Sequence, residues 1–272
     1  MSKGEVPHDL EEVLTDAWAA AKAVPGFLVE NEARLLGMIA ACTPATGAIV
    51  EIGSFKGKST VMLGKVAQHY GFGPVVAIDP HDLNSDGLQA LKTSAEDSTY
   101  RDFLANVASA GVSDLVIPHR ALSTQVAQDW DGPIRFLWID GDHSYRGAKD
   151  DFDGFIRHLV PGGVVAFHDA LNTFAGPIRV FVEDVLRSNS FGPAGFVHSI
   201  AWAQYRPHDG ARFEKSRTSL ARRAARLVPL VKENRPLRGL QKIRYKLNRS
   251  QVPRAPIAAG ALVSLLDQPG NP

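Results

Sequence analysis

Cysteine is nearly absent from this chain of 272 residues, in which Cys42 is the only one. A single thiol excludes an internal disulfide and a zinc site built from cysteines. We expect Cys42 to be a small buried side chain beside the core. A long hydrophobic run is missing as well, because no stretch reaches the roughly 18 apolar residues that a membrane span requires. The sequence therefore predicts no membrane span.

The amino-terminal segment MSKGEVPHDLEE lacks the basic region and the apolar core of a signal peptide. We therefore expect a cytoplasmic protein. With 44% hydrophobic and 22% charged residues, the composition is ordinary for a soluble globular protein. The length fits one large domain, or one domain with an appendage.

The net charge of +1 hides two oppositely charged regions. Residues 1–210 contain sixteen Lys or Arg against twenty-six Asp or Glu, whereas residues 211–250 contain thirteen Lys or Arg against two acids. This change of sign predicts a boundary near the turn residues PHDG at 207–210. We predict three parts, which are an N-terminal helical pair over 1–44, a core over 45–208 and a basic C-terminal extension over 209–272.

Strand and helix patterns alternate along the predicted core. Two helices come first, and two aromatic-rich segments at 194–199 and 201–205 supply a terminal hairpin. Alternation of this kind predicts an α/β fold in which a doubly wound, mostly parallel sheet has helices on both faces. The predicted helices lie near 9–23, 29–42, 57–69, 98–110, 145–158 and 176–189, and the other strands near 48–52, 75–79, 114–118, 134–139 and 162–168.

Residues 48–60, AIVEIGSFKGKST, combine an apolar strand, a glycine-rich turn and the start of a helix. Gly53 and Gly57 would let the backbone turn tightly beneath a ligand, and Glu51 would end the strand. The next strand delivers Asp79, whose carboxylate can accept hydrogen bonds from both hydroxyls of a ribose. The pattern predicts a site for an adenosine-type ligand.

The GKS ending of this segment imitates a phosphate-binding Walker A loop. That loop needs four residues between its first glycine and the Gly-Lys pair. Only Ser54, Phe55 and Lys56 separate Gly53 from Gly57. The spacing therefore excludes a Walker A loop.

A second group of polar residues follows two later strands. Asp140, Asp142 and His143 come after FLWI, and His168 and Asp169 end VVAFHD. Ligands bind at the carboxyl ends of the strands in a doubly wound sheet, so we expect these residues to converge near the glycine turn. Oxygen donors with an imidazole suit Mg²⁺ or Mn²⁺ better than tetrahedral zinc. The alternative is a capping role, in which Asp142 or Ser144 starts the following helix.

Four segments in this order, EIGSFKGKST, VVAIDPH, IDGDHSYRGAKDDF and LVPGGVVAFHD, resemble bacterial class I S-adenosylmethionine methyltransferases of the Methyltransferase-24 type. The resemblance covers about 45–190. It implies a Rossmann-like sheet of seven strands and S-adenosylmethionine as cofactor. Related metal-dependent O-methyltransferases hold a divalent ion through an acid after strand four and a polar pair after strand five. This implies Asp140, His168 and Asp169 as metal ligands, although His168 departs from the acidic or amide pair of catechol-type enzymes.

The same resemblance assigns the remaining site residues. The expected cofactor contacts are Glu51, Gly53, Ser54, Lys58, Ser59 and Asp79, with Ala121, Leu122 and Ser123 near the adenine. The residue three positions after the first metal acid is a lysine in catechol-type enzymes and is His143 here. We therefore expect His143 to be the general base, with Asp142 orienting it or acting as base itself.

The combination of DGDHSY and HD resembles sugar-directed enzymes more than catechol enzymes. The predicted function is divalent-metal-dependent O-methylation of a saccharide or glycosylated natural product, with a small-molecule or oligosaccharide acceptor. Methylation of a phenol or another small metabolite is the alternative, and an RNA-binding methyltransferase comes third. Few aromatic residues interleave the arginines of the extension, so no nucleic-acid partner is expected. Whether the chain forms a homo-oligomer stays open.

The basic extension has three alternative interpretations. It is a solvated helical appendage, a polyanion-binding surface or part of a lid over the acceptor site. Residues 211–226 favour an arginine-rich helix, and the prolines that follow exclude a long one. We expect residues 251–272 to be a poorly ordered end.

Overall fold

Seven strands form one sheet in the order β3-β2-β1-β4-β5-β7-β6. The structure, a computed structural model, describes residues 5–82, 98–231 and 237–267. Strands β1 to β5 are parallel, whereas β7 runs antiparallel to both β5 and β6. The predicted α/β fold with a terminal hairpin is confirmed. The strands are β1 Ala48–Ile52, β2 Val75–Ile78, β3 Val116–His119, β4 Ile134–Ile139, β5 Leu159–Phe167, β6 Phe191–Val197 and β7 Ile200–Tyr205.

The central strands are buried along their whole length, because helices cover both faces of the sheet. Side chains of β1 alternate between the two resulting cores. Ile49 packs into the core on one face, and Val50 and Ile52 pack into the core on the other. Parallel strands covered on both sides need this near-continuous apolar sequence. The polar ends of β1, β2, β4 and β5 consequently meet at one edge of the sheet.

Ten α-helices surround the sheet in the described part of the chain. Helices α1 to α3 pack on one another and contribute to one core, together with α10. Helices α6 to α9 contribute to the other core. They are α1 Leu10–Lys22, α2 Glu30–Cys42, α3 Lys58–Tyr70, α4 Ser98–Ser109, α5 Ser123–Asp129, α6 Tyr145–Ile156, α7 Ala175–Val180, α8 Glu214–Ala224, α9 Gly239–Arg249 and α10 Ala259–Leu266.

The basic extension packs closely against the core. Leu220, Ala224 and Leu227 are buried in one of the two cores, and α8 contacts β6, so a fully solvated appendage is excluded for this stretch. The guanidinium of Arg217 is also buried and donates to the carbonyls of Phe191 and Gly210. The domain boundary at 208 stays a prediction.

The expectation of a poorly ordered end over 251–272 is wrong for residues 259–266, which form α10. Leu262 and Leu266 are buried in the core formed by α1, α2 and α3. The prediction failed because the segment is short and follows two prolines, while its helical state depends on contacts with α2. Residues 268–272 lie outside the described residues.

Two smaller differences concern helices. The helix predicted near 176–189 is α7 followed by a π-helical segment, Phe181–Leu186. Helix α5, Ser123–Asp129, was not predicted. Among the described helices, none combines the length and the apolar character that a membrane crossing requires.

Candidate active site

The glycine turn after β1 lies directly against the end of β4. Gly53 has a φ of +88°, and a Cβ added there would come within 2.1 Å of the carbonyl oxygen of Asp140. Gly57, with a φ of +90°, is the N-cap residue of α3. Only glycine adopts such conformations without strain and permits so close an approach. The two glycines therefore bring the adenosine-type motif and the second polar group into one site.

Glu51 is fully buried beneath this turn. Its two carboxylate oxygens accept hydrogen bonds from the hydroxyls of Ser59 and Thr60, in the first turn of α3. Burial raises the pKa of Glu51 to about 7, and the two hydroxyl donors only partly counter this effect. In the described structure Glu51 and Ser59 hold the glycine turn to α3.

Asp79 is oriented by two backbone amides. The N–H of Phe55 and the N–H of His81 each donate to one of its carboxylate oxygens across 2.7 Å. Phe55 has a φ of +46°, so the chain adopts an unusual conformation at the residue whose amide meets Asp79. Each oxygen keeps a further lone pair, and the side chain lines a cavity.

That cavity, which we call the first cavity, has a volume of about 310 Å³ at the carboxyl edge of the sheet. Its walls come from the turns after β1, β2 and β4 and from the start of α5. The volume and position suit a nucleoside-sized ligand. The residues that line it include Gly53, Phe55, Asp79, His81, Leu122, Ser123, Asp140, Asp142 and Asp151.

Asp151 of α6 is a cavity residue that our sequence reasoning missed. It is 5% exposed, and its Oδ1 accepts a hydrogen bond from the Ser123 hydroxyl. Its Oδ2 is buried and has no hydrogen-bond partner among the described residues. Burial raises the pKa of Asp151 to about 7. Buried polar atoms without partners are uncommon, so this oxygen marks a point where a ligand can bind.

Asp140, His143 and Asp169 converge at the ends of β4 and β5. The Nε2 of His143 lies 3.6 Å from Oδ1 of Asp140 and 3.3 Å from Oδ2 of Asp169. This nitrogen is buried and has no hydrogen-bond partner among the described residues. Burial lowers the pKa of His143, but the two carboxylates outweigh burial and raise it to about 9.

The donor atoms of these three residues all lie within 4.8 Å of one another. Two carboxylate oxygens with one imidazole nitrogen are a donor set that fits Mg²⁺ or Mn²⁺. His143 can offer Nε2 to a cation only as the neutral imidazole, so the carboxylates of Asp140 and Asp169 are the invariant part of this donor set. Asp140 and Asp169 can therefore hold a divalent metal ion beside His143.

His168 is enclosed between two acids. Its Nδ1 lies 3.0 Å from Oδ1 of Asp140, and its Nε2 lies 3.2 Å from Oε2 of Glu32. Burial lowers the pKa of His168, but Asp140 and Glu32 outweigh burial and raise it well above the usual value. An imidazolium has no lone pair for a metal ion. In this arrangement His168 orients Asp140, and its role as a ligand stays a prediction.

Glu32 of α2 is a second residue that the sequence reasoning missed. It lies 2% exposed beside the metal cluster, and it accepts hydrogen bonds from Ser199 and from Nδ1 of His198 at 2.7 Å. Burial raises the pKa of Glu32, but His168, Ser199 and His198 outweigh burial and lower it to about 2. Glu32 therefore joins the N-terminal helical pair to the active site.

A second cavity, of about 470 Å³, adjoins the first. The two cavities share Phe55, Asp140 and Gly141 in their walls. Phenylalanines form one side of the second cavity, and the ring of Phe174 stacks on His143 with centroids 4.3 Å apart. Glu32, Asn172, His198 and Ser199 form a polar side. Of the metal cluster, Asp140 lines both cavities, whereas His143 and Asp169 line the second one.

Comparison with known proteins identifies this part of the chain. Residues 50–170 match the family model of a methyltransferase domain, of the Methyltransferase-24 type. These residues form a methyltransferase domain. The resemblance to class I methyltransferases predicted from the motifs is confirmed.

Relatives of the methyltransferase domain are distant in sequence. The uncharacterized protein R132 of Acanthamoeba polyphaga mimivirus is 23% identical over 120 residues, which are 44% of this chain and 50% of that protein. The chain thus matches about half the length of this curated relative.

Two solved structures share the fold. Cofactor-bound Rv0187 from MTB is 20% identical, with a TM-score of 0.52, and the match covers 72% of this chain and 91% of that one. The O-methyltransferase TomG from Streptomyces achromogenes, involved in tomaymycin synthesis and solved in complex with SAM, is also 20% identical. That match has a TM-score of 0.50 and covers 74% of this chain and 91% of TomG. At these identities the likeness shows the fold.

Not every predicted cofactor contact of the methyltransferase domain lines one of these two cavities. Gly53, Asp79, Leu122 and Ser123 do. Lys58 instead directs its ammonium to the carbonyl of Gly26 at 3.2 Å and toward the ring of Trp18. Five of the predicted contacts are absent from the described walls of both cavities, namely Glu51, Ser54, Lys58, Ser59 and Ala121. Their cofactor contacts stay predictions.

Ser54 is nevertheless notable, because its hydroxyl is buried and has no hydrogen-bond partner among the described residues.

Asp142 lines the first cavity, and its carboxylate accepts hydrogen bonds from the N–H and the hydroxyl of Ser144, each at 2.9 Å. Ser144 in turn caps α6 by accepting from the N–H of Gly147. The capping alternative therefore holds for Ser144, and Asp142 supports that cap.

Proposed function

We propose that this protein is a divalent-metal-dependent O-methyltransferase that uses S-adenosylmethionine. The observation that carries the proposal is the junction of two cavities at Asp140. The oriented carboxylate of Asp79 lines the first cavity, Asp140 lines both cavities, and His143 and Asp169 line the second. Methyl transfer needs this arrangement, because the acceptor oxygen must approach the methyl carbon in line with the sulfur.

The first cavity is the proposed cofactor site. Asp79 would accept hydrogen bonds from the ribose hydroxyls, since its two amide donors leave lone pairs available. We further assign Asp151 to the adenine, because its unpartnered Oδ2 lies beside Ser123, in the loop expected near that base. A carboxyl oxygen there would accept from the exocyclic amino group. Binding of SAM by TomG, which shares the fold, is consistent with this site.

The second cavity is the proposed acceptor site. Asp140 and Asp169 would hold Mg²⁺ or Mn²⁺ beside His143, and the ion would supply positive charge that lowers the pKa of the acceptor hydroxyl and of His143. The acceptor oxygen forms the bond to the methyl carbon, and the carbon–sulfur bond breaks with its electron pair moving to sulfur. His143 receives the hydroxyl proton at Nε2. S-adenosylhomocysteine is the second product.

For the acceptor we propose a hydroxyl of a saccharide or of a glycosylated natural product. The polar side of the second cavity supports this choice, because Glu32, Asn172, His198 and Ser199 offer donors and acceptors to several hydroxyls. Phenols are the second candidate, favoured by the aromatic side, where Phe27 is 66% exposed and Phe174 stacks on His143.

An acceptor screen with methyl-labelled S-adenosylmethionine tests the proposal. Saccharides and phenols are compared with Mg²⁺, with Mn²⁺ and with EDTA. We expect turnover that EDTA abolishes, and loss of turnover in Asp140→Ala and Asp169→Ala while cofactor binding persists. Asp114→Ala, an exposed acid outside both cavities, is the matched control. Full activity in EDTA would refute the metal role, and turnover of phenols alone would assign the second candidate.

A further inference from the structure

Helix α9 exposes an apolar stripe on the surface of the basic extension. Leu240, Ile243 and Leu247 are 78%, 62% and 63% exposed. Their spacing of three and four residues places them on one face of the helix. Large aliphatic side chains in such a row are unfavourable in water, so the stripe indicates an interaction surface.

The opposite face of α9 attaches the helix to the protein. Tyr245 is 3% exposed, and its hydroxyl donates to the carbonyls of Leu171 and Asn172. The helix is therefore formed and anchored with its apolar stripe directed outward. Asn172 also lines the second cavity, so the contact of Tyr245 links α9 to the wall of that cavity.

Positive charge surrounds the stripe. Lys242, Arg244 and Lys246 are exposed on α9, and no ion pair involves them in the part of the chain that the structure describes. Residues 238–254 contain six Lys or Arg and neither Asp nor Glu. Arg244 and Lys246 lie on either side of the stripe by helical geometry.

We infer that α9 docks this protein on an anionic lipid surface. The aliphatic stripe would enter the boundary between headgroups and acyl chains, and the flanking basic residues would contact lipid phosphates and carboxylates. A helix with this amphipathic pattern lies in the plane of the interface and does not span the bilayer. The inference is independent of the proposed methyl transfer, because it rests on α9 alone.

Two other partners fit the surface less well. Nucleic acid would pair with the basic residues, but an aliphatic stripe offers no ring for base stacking. A second copy of this chain would cover the stripe, but a symmetric contact of α9 with α9 would bring two strongly positive helices together. Of these three partners, an anionic bilayer matches both the apolar and the positive features of α9.

Co-sedimentation of the full chain with lipid vesicles tests the inference. We expect binding to vesicles of equal parts phosphatidylcholine and phosphatidylserine, weakening with added salt, and little binding to pure phosphatidylcholine. Replacing the stripe with Leu240→Ser, Ile243→Ser and Leu247→Ser together should reduce the apparent affinity at least about tenfold. Arg244→Glu with Lys246→Glu should reduce it similarly. Two control variants should leave the apparent affinity unchanged. One replaces two exposed apolar residues elsewhere, Leu104→Ser with Ile117→Ser, and the other is Arg101→Glu on α4.

The stripe variants should keep the melting temperature and the S-adenosylhomocysteine affinity of the wild type, because the stripe faces solvent. Equal sedimentation with neutral and anionic vesicles, or none with either, would overturn the inference. If the wild-type chain binds an RNA probe and the serine substitutions in the stripe weaken that binding to the same extent, the partner is nucleic acid and not a membrane. A dimer that dissociates in the serine variant, measured by analytical ultracentrifugation, would assign the stripe to self-association.

Discussion

Nε2 of His168 lies 3.2 Å from Oε2 of Glu32, although the two residues are 136 positions apart in the chain. Glu32 belongs to α2, and His168 follows β5, so this contact fastens the N-terminal helical pair to the carboxyl edge of the sheet. The other nitrogen of His168 is 3.0 Å from Asp140. The position of the first acid of the metal cluster therefore depends on α2.

Glu32→Gln should destabilise the protein in a pH-dependent way. The pKa of Glu32 is about 2 in the folded protein and 4.5 in the reference state, so its ionised form stabilises the fold above about pH 4.5. We expect a loss of about 3 kcal/mol near neutral pH, shrinking as the pH falls toward 2. Urea denaturation between about pH 2 and neutral pH measures the free energy of unfolding of both proteins, and Glu12→Gln, at an exposed position, is the control. A pH-independent difference would contradict the prediction.

Asp151→Asn should stabilise the ligand-free protein at neutral pH. The pKa of Asp151 is raised to about 7 from 3.8, so ionisation favours the unfolded chain as the pH rises from about 4 to 7. One pKa unit corresponds to about 1.4 kcal/mol, and the gain should approach about 4 kcal/mol above pH 7. Below pH 4 the gain should vanish. The neighbouring exposed Asp150→Asn is the control, and equal effects of the two variants would rule out a special role for burial.

Asp151 should also determine the preference for adenine. Above pH 7, where Asp151 is ionised, wild type is expected to bind S-adenosylhomocysteine at least about tenfold more tightly than the analogue with a 6-oxo base, because a lost hydrogen bond to a charged group costs about 1.5–3 kcal/mol. Isothermal titration calorimetry measures both ligands. Asp151→Ala should remove most of this preference, whereas Asp150→Ala should retain it. Undiminished preference in Asp151→Ala would assign adenine recognition elsewhere.

Asp79→Ala should weaken S-adenosylhomocysteine binding by about 1.5–3 kcal/mol, or about 10- to 150-fold, through loss of the ribose hydrogen bonds. Calorimetry compares it with Asp114→Ala. ATP should not bind the wild type, since the glycine turn lacks the Walker A spacing. Tight ATP binding without S-adenosylhomocysteine binding would refute the adenosine-site interpretation.

His143→Ala should lower turnover by about 10²–10⁴-fold with little change in cofactor affinity, as expected for loss of a general base. Activity of the wild type should rise with pH as the imidazole loses its proton, and the variant should lack this limb. The exposed His208→Ala is the control. If His143→Ala stays within a few-fold of wild type while Asp142→Ala is inactive, the base is Asp142.

Gly53→Ala should be far more destabilising than Gly111→Ala. Both residues have a positive φ, +88° and +68°, so both variants carry backbone strain of about 1 kcal/mol or more. Only at Gly53 would the new Cβ meet a backbone oxygen, that of Asp140 at 2.1 Å, whereas Gly111 has open space. The difference in unfolding free energy between the two variants isolates this contact. Similar values would show that the turn after β1 moves away from β4.

Local sequence determined the architecture of the methyltransferase domain. Apolar runs of strand length alternate with helical patterns, and both patterns depend on residues close together in sequence. The strands therefore follow one another along the chain as predicted. The glycine turn and Asp79 were predicted for the same reason, since a βα turn is a short-range structure. The convergence of Asp140, His143 and Asp169 followed from topology, because parallel strands end at one edge.

Side-chain partners distant in sequence were decided by the tertiary structure alone. Asp151 and Glu32 lie in helices whose patterns indicate only amphipathic segments. Burial raises the pKa of Asp151, whereas in Glu32 the effect of burial is outweighed by its partners, His168 among them. Lys58 follows the glycine turn, but packing of α3 against the N-terminal helices directs it to Gly26. Helix α10 forms where α2 covers its apolar side chains. The sequence encodes each segment locally, whereas packing between segments determines which polar atoms remain available to a ligand.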